Sequence, residues 1–199
     1  MQKFAFKFSI TIPSLDAKNA NTLFTKNFSL SVSFFQSFKS LDEFLTLLGE
    51  LEARGLSGLF YTYVSTDNKD STKNIVYLGQ SGLSLPDEAY YREDEYKEIR
   101  ESFLTHIKNM FELAGLENAQ SCATSVLEVE TQIAACHWDQ VKDRDAEATY
   151  NKKSFTELTS IAPAFNWQLW ITASKTPSHV LEQVIVRQPS YFCLLYTSP

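Results

Sequence analysis

The sequence has 199 residues, of which 44% are hydrophobic and 21% charged, a composition that fits a globular protein and excludes a disordered or fibrous one. Its formal net charge of −6 argues against a general nucleic-acid-binding protein, because such a protein needs a basic surface. No stretch approaches the roughly 18 consecutive apolar residues of a membrane-spanning helix, so we expect no membrane segment in this chain.

The first 38 residues differ in composition from the rest of the chain, since they hold eight of the fifteen Phe residues. A run with the period of a β-strand stands near their start: Phe4, Phe6, Phe8, Ile10 and Ile12. Two interpretations remain open. The segment is either an edge strand that packs on something absent here or a leader of non-native origin. We therefore treat residues 1–38 as a leader of uncertain origin, separate from a domain over residues 39–192.

From Ser40 onward the sequence predicts regular structure. Ser40 and Glu43 form a capping box, and the apolar stripe that follows predicts a helix that ends near Gly55. Residues 59–64 and 74–78 are rich in aromatic and β-branched side chains and flank a polar turn. This arrangement predicts an antiparallel β-hairpin.

Helical periodicity predicts four more helices after the hairpin. One ends at Gly115 and the next covers about residues 118–136, and the short connection favours antiparallel packing of the two. A second capping box, in residues 154–157, opens a short helix that Pro163 ends, and residues 165–173 follow as another. The predicted fold class is mainly α: a helical domain with one small antiparallel β-hairpin.

The last seven residues, 193–199, fit none of these predicted elements. Their sequence, Cys-Leu-Leu-Tyr-Thr-Ser-Pro, resembles a translated sequencing adapter. We interpret them as an artefactual tail and expect the natural sequence to continue differently after Phe192.

Five motifs stand in a fixed order in the domain, and we call them the landmark motifs. They are a hairpin strand (58–67), a Gly-Leu-x-Leu-Pro-Asp-x-x-Tyr-Tyr loop after Gly79 (82–91), a His-Trp, Arg-Asp, Thr-Tyr-Asn run (137–151), a Phe-Asn-Trp turn (165–167) and a Val-Arg-Gln-Pro-Ser-Tyr-Phe segment (186–192). Together they resemble the N-terminal domain of the neprilysin-like zinc metallopeptidases, the neprilysin and endothelin-converting-enzyme type, over about residues 40–192.

The resemblance implies a fragment of a larger two-domain protease. Family members are zinc endopeptidases that cut peptides and small proteins, and their helical N-terminal domain roofs a cavity over the catalytic domain. The implied cofactor is zinc in the full-length protein, and the implied partners are peptide substrates. Relatives are secreted, periplasmic or membrane-anchored, which leaves the localisation open. The family's Asn-Gly-x-Trp motif and the neighbouring substrate-binding arginines have no counterpart here, so no functional residue is carried over.

The residues that such chemistry needs are missing from the sequence. A zinc peptidase of this class requires two His one helical turn apart, with a Glu between them as general base. None of His106, His137 and His179 has a His four residues further on. Cys136 and His137 diverge by about 100° on a helix, so with Cys122 they make a poor metal site. We predict no catalytic, cofactor-binding or metal-binding residue in this chain.

Three hypotheses concern individual side chains. Glu130 lies on an apolar stretch, and we expect it to pair with Arg144 because a buried carboxylate needs a partner. Trp138 is expected to cap a core, with its indole N–H donating to a carbonyl. For Tyr90 and Tyr91 we favour packing over exposure to a substrate cavity.

Two functions from different classes remain. The chain is either the N-terminal fragment of a zinc metalloendopeptidase, inactive alone because its catalytic zinc domain is missing, or a stand-alone, non-catalytic helical binding module. A reading frame that continues past Phe192 to a His-Glu-x-x-His motif would favour the first, and a natural stop there would favour the second.

Overall fold

The computed structural model describes residues 40–56 and 58–197, so the leader over residues 1–38 lies outside the described residues. The α-helices are α1 (Leu41–Glu52), α2 (Ala89–Arg92), α3 (Lys97–Leu113), α4 (Ala119–Cys136), α5 (Gln140–Asp143), α6 (Phe155–Ile161), α7 (Trp167–Ser174) and α8 (Pro189–Thr197). The strands are β1 (Phe60–Asp67), β2 (Asp70–Gln80), β3 (Lys152–Ser154) and β4 (Gln183–Val186). Short 3₁₀ turns cover Asp94–Tyr96 and Ser178–Leu181.

The mainly α fold and its hairpin are confirmed, and the hairpin belongs to a larger sheet. Strands β1 and β2 pair antiparallel, from Phe60 opposite Gln80 to Asp67 opposite Asp70. The strand order is β1-β2-β4-β3, in which β4 runs parallel to β2 and antiparallel to β3. Strands β3 and β4 have three and four residues, too few to show a period in the sequence.

The main core lies between one face of this sheet and the helices. Phe60 is at its centre, with the rings of four aromatic residues at centroid distances of 5.4–5.8 Å. These residues are Phe165, Trp167, Trp170 and Phe192. Three of the landmark motifs therefore supply core residues: Phe60 belongs to the hairpin strand, Phe165 and Trp167 to the Phe-Asn-Trp turn and Phe192 to the last segment.

Helices α3 and α4 form a separate layer. Ile107 of α3 packs against Ala123 and Val126 of α4 in a small cluster apart from the main core. The left-handed Gly115 (φ 73°) ends α3, as the sequence predicts. Ile133 of α4 belongs to the main core, so α4 joins the pair to the rest of the domain.

The capping box predicted at Ser154 is confirmed in full, and the one predicted at Ser40 is confirmed for one of its two bonds. The Ser40 side chain accepts a hydrogen bond from the Glu43 N–H at 3.2 Å. Ser154 and Glu157 make both bonds of a capping box at the start of α6. The prediction that the last residues fit no element is wrong for residues 193–197, which continue α8 because nothing in the sequence breaks the helix begun at Pro189. Their artefactual origin stays a prediction.

A buried carboxylate fixes the tip of the hairpin. Asp67 is 1% exposed and accepts hydrogen bonds from Lys152 Nζ (2.9 Å), Tyr150 Oη (2.7 Å) and the Lys69 N–H (2.9 Å). These bonds, that from Lys152 foremost, hold the pKa of Asp67 well below its usual range. The carboxylate in turn raises the pKa of Tyr150 to about 12. The hairpin is thus tied to the Thr-Tyr-Asn landmark and to β3.

Close packing between α1 and α7 leads to a first prediction. A Cβ on Gly49 would lie 2.7 Å from Ala173 Cβ and from the Trp170 carbonyl oxygen. Gly49→Ala should therefore lower the free energy of unfolding by about 1–3 kcal/mol, although the same change in an open helix stabilises by roughly 1 kcal/mol. Urea denaturation measures the change, with Glu50→Ala as the control in the same helix. A more stable Gly49→Ala protein would contradict the packing.

The Asp67 carboxylate predicts a pH dependence. Its folded pKa lies below the unfolded one, so its contribution to stability is present above about pH 4 and is lost as the pH falls below that value. We expect Asp67→Asn to lose less stability than the wild type between pH 7 and pH 3 in urea titrations. Asp94→Asn, at an exposed carboxylate, should lose as much as the wild type. Equal losses in all three proteins would contradict this role.

Candidate functional site

The second landmark motif follows β2 and runs into α2; we call residues 81–91, which include most of that short helix, the landmark loop. Gly82 opens it with a φ of 92°, a conformation that favours Gly, and it lies between Leu59 and Ile133. Side chains from two other landmark motifs, 137–151 and 186–192, and from α4 reach this loop or the end of β2. The loop is therefore the place where the motifs converge.

Glu130 of α4 holds the middle of the loop. Its side chain is buried, with the residue only 3% exposed, and accepts hydrogen bonds from the Ser84 N–H (3.0 Å), from Ser84 Oγ (2.5 Å) and from Tyr91 Oη (2.5 Å). Tyr91 Oη also accepts from the N–H groups of Ser84 (3.0 Å) and Leu85 (2.9 Å). Burial, and then the negative charge of Glu130, raise the pKa of Tyr91. We call Glu130, Ser84 and Tyr91 the carboxylate clamp.

The expected Glu130–Arg144 pair is wrong. Arg144 lies on the surface after α5, where its guanidinium donates to Gln140 Oε1 at 3.1 Å. The carboxylate instead takes neutral donors from the loop, because the loop covers the face of α4 on which Glu130 lies. Nothing local in the sequence links these partners, which stand 46 and 39 positions away.

His137, directly after α4, holds the start of the loop. Its Nε2 lies 2.9 Å from the Ser81 carbonyl oxygen, so this nitrogen carries the proton and donates. Tyr191 Oη shares its single proton between this oxygen, at 3.0 Å, and the carbonyl oxygen of Leu59. Its ring meets the imidazole edge-on at a centroid distance of 4.9 Å. Burial lowers the pKa of His137. The His of the His-Trp landmark is thus a structural donor.

A third set of bonds joins β2 to the turn before α5. The Gln80 side chain accepts from the Trp138 N–H (2.8 Å) and donates to the Trp138 carbonyl (3.0 Å). Gln188, fully buried, accepts from the Gln80 N–H at 2.9 Å and donates to the Asp143 carboxylate. Arg187 donates to the Asp143 carbonyl at 3.1 Å. The last landmark motif is held in place by these contacts.

The tryptophan and tyrosine hypotheses have mixed outcomes. Trp138 Nε1 donates to the Ser190 hydroxyl at 2.6 Å, so the expectation of a carbonyl acceptor is wrong, because α8 presents a side chain at that point. Lys142 places its ammonium 3.8 Å from the centre of the indole. Tyr91 is buried and Tyr90 stacks on Tyr96 at 4.1 Å, so both pack as expected.

The three His residues lie on separate elements: His106 on α3, His137 after α4 and His179 in the second 3₁₀ turn. Within residues 40–56 and 58–197, no group of three His, Cys, Asp or Glu side chains could hold a metal ion. Among the described residues, none of Cys122, Cys136 and Cys193 takes part in a disulfide. The side chains present therefore do not fit a zinc site.

A groove of about 490 Å³ lies away from the landmark loop, between α6 and α7, with Asp42 at one side. Phe155, Phe165 and Trp167 line it. Trp167 Nε1 is buried and has no hydrogen-bond partner among the described residues. Among the described residues that line the groove, Asp42 is the one titratable side chain.

The described part of the chain has no helix with the length and apolar character to cross a membrane.

The sequence matches a family model and several known proteins. The model of Peptidase family M13, N-terminal part, matches residues 12–196. Endothelin-converting enzyme 1 of Cavia porcellus is 33% identical over 141 residues, which are 68% of this chain and 19% of that protein. The human enzyme is 30% identical over 141 residues, which are 18% of its length. The chain therefore spans about a fifth of these relatives.

Solved structures share the fold. The zinc metalloprotease Zmp1 of Mycobacterium tuberculosis, in complex with an inhibitor, superimposes with a TM-score of 0.81 and 32% identity, over 90% of this chain and 28% of that one. PepO of Lactobacillus rhamnosis, at 22% identity and a TM-score of 0.64 over 86% of this chain and 28% of that one, shows the fold alone. The chain belongs to peptidase family M13, the neprilysin-like metallopeptidases, and corresponds to their N-terminal domain.

Proposed function

We propose that this chain is part of the N-terminal roof of a zinc metalloendopeptidase that hydrolyses peptide bonds in peptides and small proteins. The observation that carries the proposal is the convergence of the landmark motifs on one buried polar network in a chain of family M13. The curated relatives are about five times longer than the matched part. The catalytic residues would therefore lie outside this sequence.

The network has the properties of a scaffold. Each side chain of the network forms a hydrogen bond with the main chain, or with another side chain that is itself bonded to the main chain. Glu130, His137 and Gln80 are examples of direct bonds to the main chain. A catalytic base, in contrast, needs a free position where a substrate proton can reach it. In this proposal the network fixes the landmark loop and α4 as one rigid surface, and a roof that limits substrate size needs such a surface.

Zinc enters the proposal only through the rest of the enzyme. When bound there, zinc would lower the pKa of a water ligand to about 7 and so make a nucleophile. The His and Cys residues of this chain do not come together, so we assign none of them to the metal.

The carboxylate clamp predicts a coupling between two substitutions. Glu130→Ala should lower the free energy of unfolding by at least about 2 kcal/mol, because it leaves buried loop donors without an acceptor. Its effect and that of Tyr91→Phe should be strongly non-additive in a double-mutant cycle measured by urea denaturation.

Two controls separate the clamp from the pairing expected from sequence. Glu128→Ala, at an exposed position on the same helix, should change stability by less than about 0.5 kcal/mol. Glu130→Ala and Arg144→Ala should be additive. Coupling of Glu130 to Arg144, together with additivity toward Tyr91, would refute the clamp.

Because this proposal places the catalytic residues in the rest of the enzyme, it predicts that the 199-residue chain is inactive alone. It should not cleave a fluorogenic peptide, and equilibrium dialysis should find no stoichiometric zinc, because its potential ligands lie apart. A version extended by the catalytic domain of its own gene should cleave the peptide and lose that activity with a chelator. Chelator-sensitive cleavage by the short chain would contradict the proposal.

A further inference from the structure

The groove between α6 and α7 has an aromatic lining and lies next to the start of α1. Its aromatic side chains are the buried Phe165 and Trp167 and the half-buried Phe155. Three other residues that line it are exposed: Pro163, Ala164 and Gln168. Its volume of about 490 Å³ falls in the range of roughly 300–1,000 Å³ that is usual for sites of small ligands. The groove therefore has room for two aromatic side chains.

Two polar groups of the groove define what would suit it. Trp167 is 3% exposed, and its Nε1 has no acceptor among the described residues. A buried indole N–H without an acceptor is unfavourable, so a chain segment that brings a main-chain carbonyl gains a hydrogen bond as well as apolar contact. Asp42 is the one titratable side chain of the described lining. The groove thus suits a peptide segment with aromatic side chains and a positive charge.

The end of the leader has this chemistry. Phe34, Phe35 and Phe38 stand shortly before α1, and Lys39 follows them. Residues 1–39 contain five Lys and one Asp, a net charge of +4, so with −6 for the whole chain residues 40–199 carry −10. The leader and the domain therefore attract each other.

The position at which the leader joins the domain also fits. Asp42 lies in the first turn of α1, four residues after Phe38 and eight after Phe34. An extended chain advances at most about 3.5 Å per residue, which keeps the Cα of Phe38 within about 14 Å of that of Asp42 and the Cα of Phe34 within about 28 Å. Leu41, at the start of α1, is 52% exposed, so apolar surface is also present where the leader joins. A segment tethered this closely has a high effective concentration at the groove.

We propose that residues 34–38, which we call the aromatic segment, dock in the groove between α6 and α7. Their Phe side chains fill the aromatic lining, their main chain supplies an acceptor for Trp167, and Lys39 lies close to Asp42. The leader is then a native part of the domain. The match to family M13, which begins at residue 12, supports this part of the proposal.

Photo-cross-linking of the full chain tests the docking. Phe38→p-benzoylphenylalanine should, on irradiation, form cross-links within one chain to residues that line the groove, and mass spectrometry of the digested monomer locates them. Phe6→p-benzoylphenylalanine, outside the aromatic segment, is the control and should give none of these cross-links. Two results from position 38 would overturn the proposal: cross-links between two chains, which would place a second copy in the groove, or no cross-link to the groove.

The accessibility of the groove gives an independent test. Thr159→Cys places a thiol on the groove, at a half-buried position of α6, and mass spectrometry follows its reaction with N-ethylmaleimide. The rate should rise at least about tenfold when the aromatic segment loses its rings, because the groove then loses buried apolar contacts with the leader. The substitutions that remove the rings are Phe34→Ser, Phe35→Ser and Phe38→Ser.

Two controls make this result specific to the groove. The first makes the same change near the start of the leader and should leave the Thr159→Cys rate unchanged: Phe4→Ser, Phe6→Ser and Phe8→Ser. The second is a thiol at an exposed position of α3, Thr105→Cys, whose rate should be the same with every leader. Equal Thr159→Cys rates with both altered leaders would overturn the docking. An equal rise at both thiols would overturn it as well, because the leader would then act on the whole domain and not on the groove.

Discussion

The buried carboxylate of Glu130 is the interaction on which the arrangement of this domain depends. It lies on α4 and receives hydrogen bonds from the backbone and side chain of Ser84 and from the hydroxyl of Tyr91. A charge in a buried position is stable only if donors surround it, and a loop that crosses a helix needs acceptors for its own N–H groups. The clamp satisfies both demands at once. It thereby connects the sheet, through the landmark loop, to the α3–α4 pair.

Elements and contacts could be predicted from the sequence where the interaction that determines them is local. Capping at Ser40 and Ser154 and the end of α3 at Gly115 depend on residues within a few positions of each other, and they were predicted. The hairpin was predicted as well, because its two strands are consecutive and a short polar turn joins them. Glu130 could be recognised as a buried carboxylate, but its partners could not, because Ser84 and Tyr91 reach it only through the tertiary fold. Strands β3 and β4 were missed for the same reason, since the pairing of β4 with β2 and of β3 with β4, and not their own pattern, makes them strands.

The same distinction separates scaffold from chemistry in this chain. The motifs that reveal the family are rich in His, Trp, Asp, Tyr and Gln, residue types that often mark an active site. In the structure they bind main chain: His137 holds Ser81, Gln80 holds Trp138 and Asp67 holds the hairpin tip. A motif that identifies a peptidase family therefore need not belong to its catalytic machinery, and here the motifs hold the backbone of the domain in place.

Glu130 holds the landmark loop as a rigid part of the scaffold, and native-state hydrogen exchange at pH 7.5 is the sharpest test of that role. The amides of Ser84 and Leu85, which donate to the clamp, should exchange only through an opening whose free energy approaches that of global unfolding. In Glu130→Gln the same amides should exchange through a much less costly local opening. Rapid exchange of both amides in the wild type, with the α4 amides still protected, would contradict the account.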